Sequence, residues 1–223
     1  QSALPEAVQV IRKDAGFRFR KEPTLEWELN SLPLLERCQV LIAGGGTGGA
    51  PAAIAAGRAG ASTLCLENTS ALGGLCTMGR IGSYWFGNRV GFCDELDKGI
   101  TAMAENPKYP AEHAKKDSEW KRHWLLCEGD KASVEFRFQH TILAAAVMGN
   151  TVCGALVSGP WGCGVILSDV AVDATGNADL AIAAGAEIAA ETFEPAIQGA
   201  GLPPVIPGND YSNTDYNFIQ DED

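Results

Sequence analysis

Apolar and glycine-rich stretches alternate over residues 38–67. Residues 38–43 form a short apolar run that ends at a glycine cluster, residues 50–59 are rich in alanine, and residues 62–67 form a second apolar run. Short apolar runs bounded by turn residues are typical of buried parallel strands, whereas alanine favours helix. The pattern therefore predicts a β-α-β unit over residues 38–67.

The second half of the chain changes its periodicity. Segments 94–106 and 111–127 are predicted to be helices. From residue 134 the period shortens towards two, and segments 134–138, 141–148, 151–157 and 164–174 predict a strand followed by a small antiparallel meander. Residues 170–172 are predicted to form a third parallel strand, with a helix continuing through residue 189. The elements together predict an α/β fold.

The composition is that of a globular domain and excludes two classes of partner. The 223 residues are 46% hydrophobic and 20% charged, and the formal net charge is −11. An acidic chain lacks the excess of Lys and Arg that binds phosphate backbones, so nucleic acid is not an expected partner. No apolar run reaches the roughly 18 residues of a membrane span, so no span is expected.

The seven cysteines are scattered without CxxC spacing, which indicates reduced thiols. They favour a reducing compartment, hence the cytoplasm, although the first residue, Gln1, leaves a processed and exported form open. His and Cys show no metal-ligand spacing, so no metal site is predicted. His113, His123 and His140 are interpreted as structural or surface residues.

A glycine motif with dinucleotide-binding spacing follows the first apolar run. Gly44, Gly46 and Gly49 satisfy GxGxxG, and Glu67 ends the second apolar run 21 residues after Gly46. Such glycines allow a tight turn, close approach of the backbone to a diphosphate and close helix packing, and such an acid accepts hydrogen bonds from a ribose. The alternative interpretation is that these glycines serve only close packing of helix on strand.

The segment Asp-Ala-Thr-Gly-Asn-Ala-Asp at residues 173–179 forms a second predicted strand-turn-helix. Together with the glycine motif, the acid after it and Leu-Gly-Gly at residues 72–74, this order resembles the FAD-dependent oxidoreductases of the glutathione-reductase-like superfamily, especially the heterodisulfide-reductase-like and succinate dehydrogenase-like branches. The resemblance implies a Rossmann-like FAD-binding domain with FAD as the cofactor. It implies cofactor contacts at Gly44, Gly46, Thr47, Gly48, Gly49, Glu67, Asn68, Gly73, Gly74, Leu75, Cys76, Arg80, Leu143, Thr175, Gly176 and Asp179.

The cysteine content departs from the disulfide reductases of that superfamily. Those enzymes carry Cys-x4-Cys after Leu-Gly-Gly, whereas here Cys76 occupies the first position and Ile81 the second. A dithiol relay at this place is therefore excluded. Cys76 is expected to pack against or line the site, with a covalent flavin thioether as the alternative. The aromatic segment 84–89 is expected either to line the flavin pocket or to anchor its loop in the core.

The chain is also shorter than members of that superfamily. The expected division is an N-terminal arm at 1–37, the N-terminal half of an FAD-binding domain at 38–190, and a linker or the start of a substrate domain at 191–223. A second polypeptide or C-terminal fragment is expected to complete a flavoprotein oxidoreductase in which FAD accepts a hydride from a small-molecule substrate, this chain supplying the ADP-binding half of the site. The alternatives are an NAD(P)-binding dehydrogenase domain and a non-catalytic flavin electron-transfer subunit. No residue is predicted to be the catalytic base.

Overall fold

The computed structural model describes residues 4–13, 32–81, 90–104 and 118–187. The aromatic segment 84–89, His113, the predicted helical residues 105–106 and 111–117, and the segment 191–223 lie outside these described residues. Within the described ranges, no helix is long and apolar enough to cross a membrane.

Seven strands and four α-helices are found in the described part of the chain. The strands are β1 (Gln9–Ile11), β2 (Leu34–Ala43), β3 (Thr63–Glu67), β4 (Glu135–Phe138), β5 (Thr141–Met148), β6 (Thr151–Gly159) and β7 (Gly162–Asp173). The helices are α1 (Gly49–Arg58), α2 (Phe92–Ala104), α3 (Ser118–Lys131) and α4 (Asp179–Ala184), and a 3-10 turn spans Gly74–Cys76.

All seven strands join one mixed sheet in the order β1-β5-β6-β7-β2-β3-β4. Strands β7, β2, β3 and β4 run parallel, whereas β1, β5, β6 and β7 pair antiparallel. Strand β7 joins the two parts because its residues 162–167 pair with β6 and its residues 165–173 pair with β2. The predicted α/β fold with a parallel sheet and an antiparallel meander is confirmed.

Neighbouring residues of β2 point to opposite faces of the sheet and enter two different cores. Ile42 belongs to the core that contains Ile54 of α1 and Trp124 of α3. Leu41 belongs to the core that contains Val157 of β6 together with residues of β5, β7 and α4. Helices α1 to α3 therefore cover one face of the parallel strands, and the meander with α4 covers the other. The carboxyl ends of the parallel strands are left at one edge.

Three details differ from the pattern-based expectation. Strand β2 begins at Leu34 rather than residue 38, because residues 36 and 37 find partners in β7. Residues 9–11, inside the predicted arm, add an edge strand to β5. The prediction of a helix through residue 189 was wrong over residues 185–187, while residues 188–189 lie outside the described part: α4 stops at Ala184, where Gly185 adopts a φ of 89° that favours glycine.

Candidate functional site

A cleft of about 470 Å³ lies at the carboxyl edge of the parallel strands. Its volume is within the roughly 300–1,000 Å³ of small-molecule sites. The cleft is where open α/β sheets bind ligands, beyond the carboxyl ends of the strands. It is lined by Gly44, Gly46, Leu66, Glu67, Asn68, Thr69, Gly74, Leu75, Met78, Gly79, His140, Thr141, Ile142, Ala174, Thr175 and Asp179.

The glycine loop between β2 and α1 lies at this cleft and carries N–H donors that have no acceptor within the described part of the chain. Among the described residues, nothing accepts a hydrogen bond from the N–H groups of Gly46, Thr47, Gly48 and Gly49. A Cβ added at Gly46 would meet nothing within 4 Å, whereas a Cβ at Gly49 would lie 1.7 Å from the carbonyl oxygen of Gly44. Free N–H groups at a helix start bind phosphate oxygens. The loop therefore combines a tightly packed base with an open, donor-rich surface.

Glu67 lies at the end of β3 and is only 5% exposed. Its Oε2 accepts a hydrogen bond from Gly45 N at 2.8 Å, and its Oε1 accepts one from Thr69 N at 2.8 Å. Each carboxylate oxygen can accept more than one hydrogen bond, so both oxygens retain capacity for a ribose hydroxyl. Glu67 thus fixes the glycine loop and lines the cleft at the same time.

The Leu-Gly-Gly loop packs directly on the glycine loop. Gly73 N donates to the carbonyl of Gly45 at 2.8 Å, and the hydroxyl of Thr47 donates to the carbonyl of Gly73 at 3.1 Å. Gly73 and Gly74 have φ values of 95° and 51°, and a Cβ at Gly74 would lie 3.1 Å from Gly46 Cα. The two loops therefore form one unit, within which the Thr47 side chain is a tie between them.

The turn after β7 is held by Asp173, which the sequence reasoning did not select. Its Oδ1 accepts hydrogen bonds from the N–H and hydroxyl of Thr175, at 3.0 and 2.8 Å, and its Oδ2 accepts one from Ala181 N at 2.8 Å. The Thr175 hydroxyl oxygen in turn accepts a hydrogen bond from Asp179 N at 2.8 Å. Asp173 thereby holds Thr175 at the cleft and satisfies a donor at the start of α4.

The residues that the family resemblance implied fall into two groups in the structure. Half of them line the cleft: Gly44, Gly46, Glu67, Asn68, Gly74, Leu75, Thr175 and Asp179. The other half lie beside it without lining it. Thr47, Gly48, Gly49, Gly73, Cys76 and Gly176 belong to the surrounding turns and helix start, and Arg80 is exposed on the Leu-Gly-Gly loop. Leu143 follows the lining residue Ile142 in β5, and its carbonyl accepts a hydrogen bond from Arg12 at 3.3 Å.

Eight lining residues were missed by the sequence reasoning. They are Leu66, Thr69, Met78, Gly79, His140, Thr141, Ile142 and Ala174. Most are sequence neighbours of selected residues, so widening each motif by two positions would have found them. His140, three positions from the selected Leu143, carries no such signal, because only the path of the chain from β4 to β5 brings it to the cleft.

The charged side chains and the thiol near the cleft limit which reactions and ligands the cleft can support. Glu67 and Asp179 are the charged side chains among the described lining residues, which include no Lys or Arg. Beneath the glycine loop, burial, with a smaller contribution from Glu67, raises the pKa of the Cys65 thiol to about 12. Cys65 therefore stays protonated and is a packing residue rather than a nucleophile. Among the described residues, no three His, Cys, Asp or Glu side chains are grouped to hold a metal ion.

A parallel sheet with a glycine loop at a helix start and a buried acid one strand away defines a dinucleotide-binding protein. Three features fit the diphosphate and ribose of FAD: open space at Gly46, N–H donors that no described residue pairs with, and the acid Glu67. The sequence profile of the FAD dependent oxidoreductases matches residues 39–198. The chain belongs to this family, and its cofactor is FAD.

Two solved structures are similar to the chain over part of their length. A geranylgeranyl bacteriochlorophyll reductase-like protein from Thermoplasma acidophilum is 21% identical, with a TM-score of 0.51 over 67% of this chain and 42% of that one. THI4 from Thermovibrio ammonificans is 20% identical, with a TM-score of 0.49 over 66% of this chain and 61% of that one. The chain thus spans less than two thirds of either protein. No protein of curated function matches the sequence.

Proposed function

We propose that the chain binds the ADP portion of FAD in the cleft and forms part of an oxidoreductase in which FAD accepts a hydride from a small-molecule substrate. One observation carries the proposal: within the described part of the chain the N–H groups of residues 46–49 have no acceptor, a Cβ at Gly46 would meet nothing within 4 Å, and the buried acid Glu67 ends the neighbouring strand. FAD supplies the redox chemistry when bound, and the protein supplies position and electrostatics.

Each part of the cleft has a separate task in this proposal. The N–H groups of Gly46 to Gly49 bind the diphosphate, and Glu67 accepts hydrogen bonds from the ribose hydroxyls. Leu75 and Met78, whose side chains are 63% and 45% exposed, offer an apolar surface to the flavin end. Asp173 keeps Thr175 in place beside the diphosphate.

We propose also that a second polypeptide or a C-terminal segment completes the flavin site. The proposal is supported by the share of the reductase-like structure from Thermoplasma acidophilum that the chain spans, which is 42%. The substrate contacts and the catalytic base are assigned to that completing part. Intact mass measurement of all polypeptides that copurify with the chain tests this, and a homogeneous single species that turns over a substrate would contradict it.

Titration of the full chain with FAD, followed by quenching of flavin fluorescence, tests the binding proposal. We expect saturable binding, competition by ADP and weakened binding in Glu67→Gln, since one amide oxygen replaces two carboxylate acceptors. Loss of a hydrogen bond to a charged group is worth about 1.5–3 kcal/mol, roughly 10-fold to 150-fold in Kd. Asp169→Asn, an exposed acid of β7, is the matched control. Absence of saturable FAD binding by the wild type would overturn the proposal.

The hydride step needs a separate measurement. Anaerobic mixing of the FAD-loaded protein with alcohols, amines, hydroxy acids and reduced nicotinamide is expected to bleach the flavin absorbance with one of these classes. Bleaching by a reduced protein donor alone would favour the electron-transfer subunit instead.

A further inference from the structure

A histidine and a cysteine lie side by side on the solvent-facing surface of α3. The Nε2 atom of His123 lies 3.8 Å from the Sγ atom of Cys127. The two residues are four positions apart, so they occupy the same face of the helix in successive turns. His123 is exposed and Cys127 is half-buried, which leaves the pair open to solvent. Among the described lining residues of the cleft none belongs to α3, so this pair is separate from the site proposed for FAD.

Cys127 differs from the other cysteines in its surroundings. Burial raises the pKa of the Cys38 thiol to about 11 and that of the Cys65 thiol to about 12, so both stay protonated at neutral pH. The thiols of Cys38 and Cys153 are directed to backbone carbonyl groups. Within the described part of the chain, Cys127 is the cysteine that contacts an imidazole nitrogen. A sulfur ligand and a nitrogen ligand are therefore available together at this place.

The separation of the two atoms matches the spacing of ligands around a small metal ion. Zn²⁺ binds thiolate sulfur at about 2.3 Å and imidazole nitrogen at about 2.0–2.1 Å, so at a tetrahedral angle the two ligand atoms are about 3.6 Å apart. The observed distance of 3.8 Å exceeds this value by only about 0.2 Å. Thiolate and imidazole are also the ligands that Zn²⁺ and Cu⁺ prefer. The pair can therefore bind such an ion with little movement of either side chain.

The charges that flank the pair along α3 nearly cancel. On one side the guanidinium of Arg122 pairs with Glu119 at 3.2 Å. On the other side the ammonium of Lys131 pairs with Glu128 at 2.6 Å. Each of these cations is thus balanced by an acid, and exposed charges are screened further by salt. A metal cation at the pair therefore meets no large repulsion from these groups.

We propose that His123 and Cys127 bind a Zn²⁺ ion as a two-point chelate on α3, with water in the remaining coordination positions. Binding replaces the thiol proton, which is released to the solvent, and neither ligand is oxidised or reduced. The ion connects two successive turns of α3 and stabilises the folded chain, since it binds the folded state in preference. No metal site was predicted from the sequence. The inference goes beyond the proposed FAD binding and does not depend on it.

Zinc chloride, titrated into the reduced full chain against a chromophoric chelator, measures the affinity. We expect one ion per chain. Cys127→Ser and His123→Gln should each weaken binding by about 100-fold or more, since the second ligand of a chelate acts at a high effective concentration. Cys93→Ser, which changes a half-buried cysteine of α2, is the matched control and should bind Zn²⁺ like the wild type.

Thermal unfolding gives a second readout that also shows whether each variant folds. Zn²⁺ at about ten times its Kd should raise the Tm of the wild type by roughly 3–6 °C. The same addition should leave the Tm of Cys127→Ser and His123→Gln unchanged. His123→Gln alters an exposed side chain, so its metal-free Tm should equal that of the wild type.

Two further variants test the geometry of the pair rather than the presence of its ligands. Cys127→His keeps two ligands four residues apart, so Zn²⁺ binding should persist, whereas the ultraviolet charge-transfer band of Cd²⁺–thiolate coordination should be lost. In the double variant His123→Gln/Leu126→His the histidine is adjacent to Cys127 in the chain. Adjacent residues of a helix do not face each other, so binding should stay as weak as in His123→Gln alone.

The remaining outcomes each decide against the site. If the wild type binds Zn²⁺ no more tightly than Cys127→Ser, the chelate is refuted. If Cys127→Ser weakens binding but His123→Gln does not, the ion is held by thiols alone, which also refutes it. Recovery of full affinity in His123→Gln/Leu126→His would show that the geometry of the pair is irrelevant and would refute it too. Failure of the chain to bind FAD would leave the zinc site standing, and failure to bind Zn²⁺ would leave the FAD proposal standing.

Discussion

A methyl group at Gly46 or Gly49 should separate the cofactor role of the glycine loop from its structural role. Both residues belong to the same motif, yet their surroundings are opposite. A Cβ at Gly46 has open space around it, whereas a Cβ at Gly49 would lie 1.7 Å from Gly44 O and 2.8 Å from the attached carbon. Gly46→Ala therefore tests what fills the cleft, and Gly49→Ala tests what holds α1 against β2.

The expected magnitudes follow from these distances. Gly49→Ala forces the start of α1 to move by about 1.3 Å before the contact reaches 3.0 Å, and overpacking of this kind costs about 3 kcal/mol. In a domain of this size the loss lowers Tm by roughly 6–12 °C. Gly46→Ala should leave Tm unchanged or raise it by up to about 4 °C, because it restricts the unfolded chain. If a diphosphate passes over Gly46, the methyl group costs about 1–3 kcal/mol of binding, roughly 5-fold to 150-fold in Kd.

Thermal unfolding of the flavin-free protein and FAD titration by fluorescence quenching measure the two effects separately. Gly60→Ala is the matched control: it lies at the other end of α1 with open space, but its φ of 86° strains an alanine. It should lose about 1 kcal/mol of stability and bind FAD like the wild type. Undiminished FAD affinity in Gly46→Ala would refute the diphosphate path, and an unchanged Tm in Gly49→Ala would refute the packing argument.

Three further changes test the parts of the fold that support the site. Asp173→Ala leaves Ala181 N without its acceptor and should lower stability by about 2 kcal/mol in thermal melts, whereas an unchanged Tm would contradict the capping role. Burial raises the pKa of the Cys65 thiol from 9.0 to about 12 in the folded protein. The contribution of this thiol to the free energy of unfolding is therefore complete below pH 9 and is lost above it, by up to about 1.4 kcal/mol per pH unit. The free energy of unfolding, measured in urea between about pH 8 and pH 10.5, should fall less steeply with pH in Cys65→Val than in the wild type. Parallel pH profiles of the two proteins would refute the role of the thiol. Arg58→Met removes ion pairs with Glu95, at 2.5 and 3.0 Å, and with Glu128, at 2.7 Å, and should cost about 1 kcal/mol at low salt and less at about 1 M NaCl. A salt-independent loss would argue for packing instead.

The β-α-β unit was predictable because its signals are local. The apolar run before Gly44, the alanine-rich helix and Glu67 at the end of the next strand lie within thirty residues. Each element of this unit is specified by its own composition, and the parallel pairing of β2 with β3 follows from the right length of connection. The structure differs from the prediction mainly at the start of β2, because the polar residues Glu36 and Arg37 were assigned to the N-terminal arm. Their pairing with β7 is a contact between distant segments that local pattern does not encode.

The parts of the site that escaped prediction depend on contacts over long sequence separations. Asp173 caps a donor eight residues later, at Ala181, which is not the spacing of an ordinary N-cap. His140 reaches the cleft because its N–H bonds to Glu67 and its ring packs on Gly159 of β6. A histidine between two predicted strands has no local property that distinguishes a surface position from one that lines the cleft.

The charge of the cleft explains why its backbone must be held so firmly. FAD carries a negatively charged diphosphate, yet the charged side chains among the described lining residues are the acids Glu67 and Asp179. In the proposed binding mode the attraction therefore comes from N–H groups of the glycine loop, whose effect depends on their common orientation. Glu67 secures that orientation through Gly45 N, and Gly73 N secures it through Gly45 O. The negative charge of Glu67 opposes binding of a diphosphate, but its carboxylate also fixes the donors of the glycine loop. We expect the fixing of the donors to outweigh the repulsion, because both carboxylate oxygens already accept hydrogen bonds from backbone N–H groups.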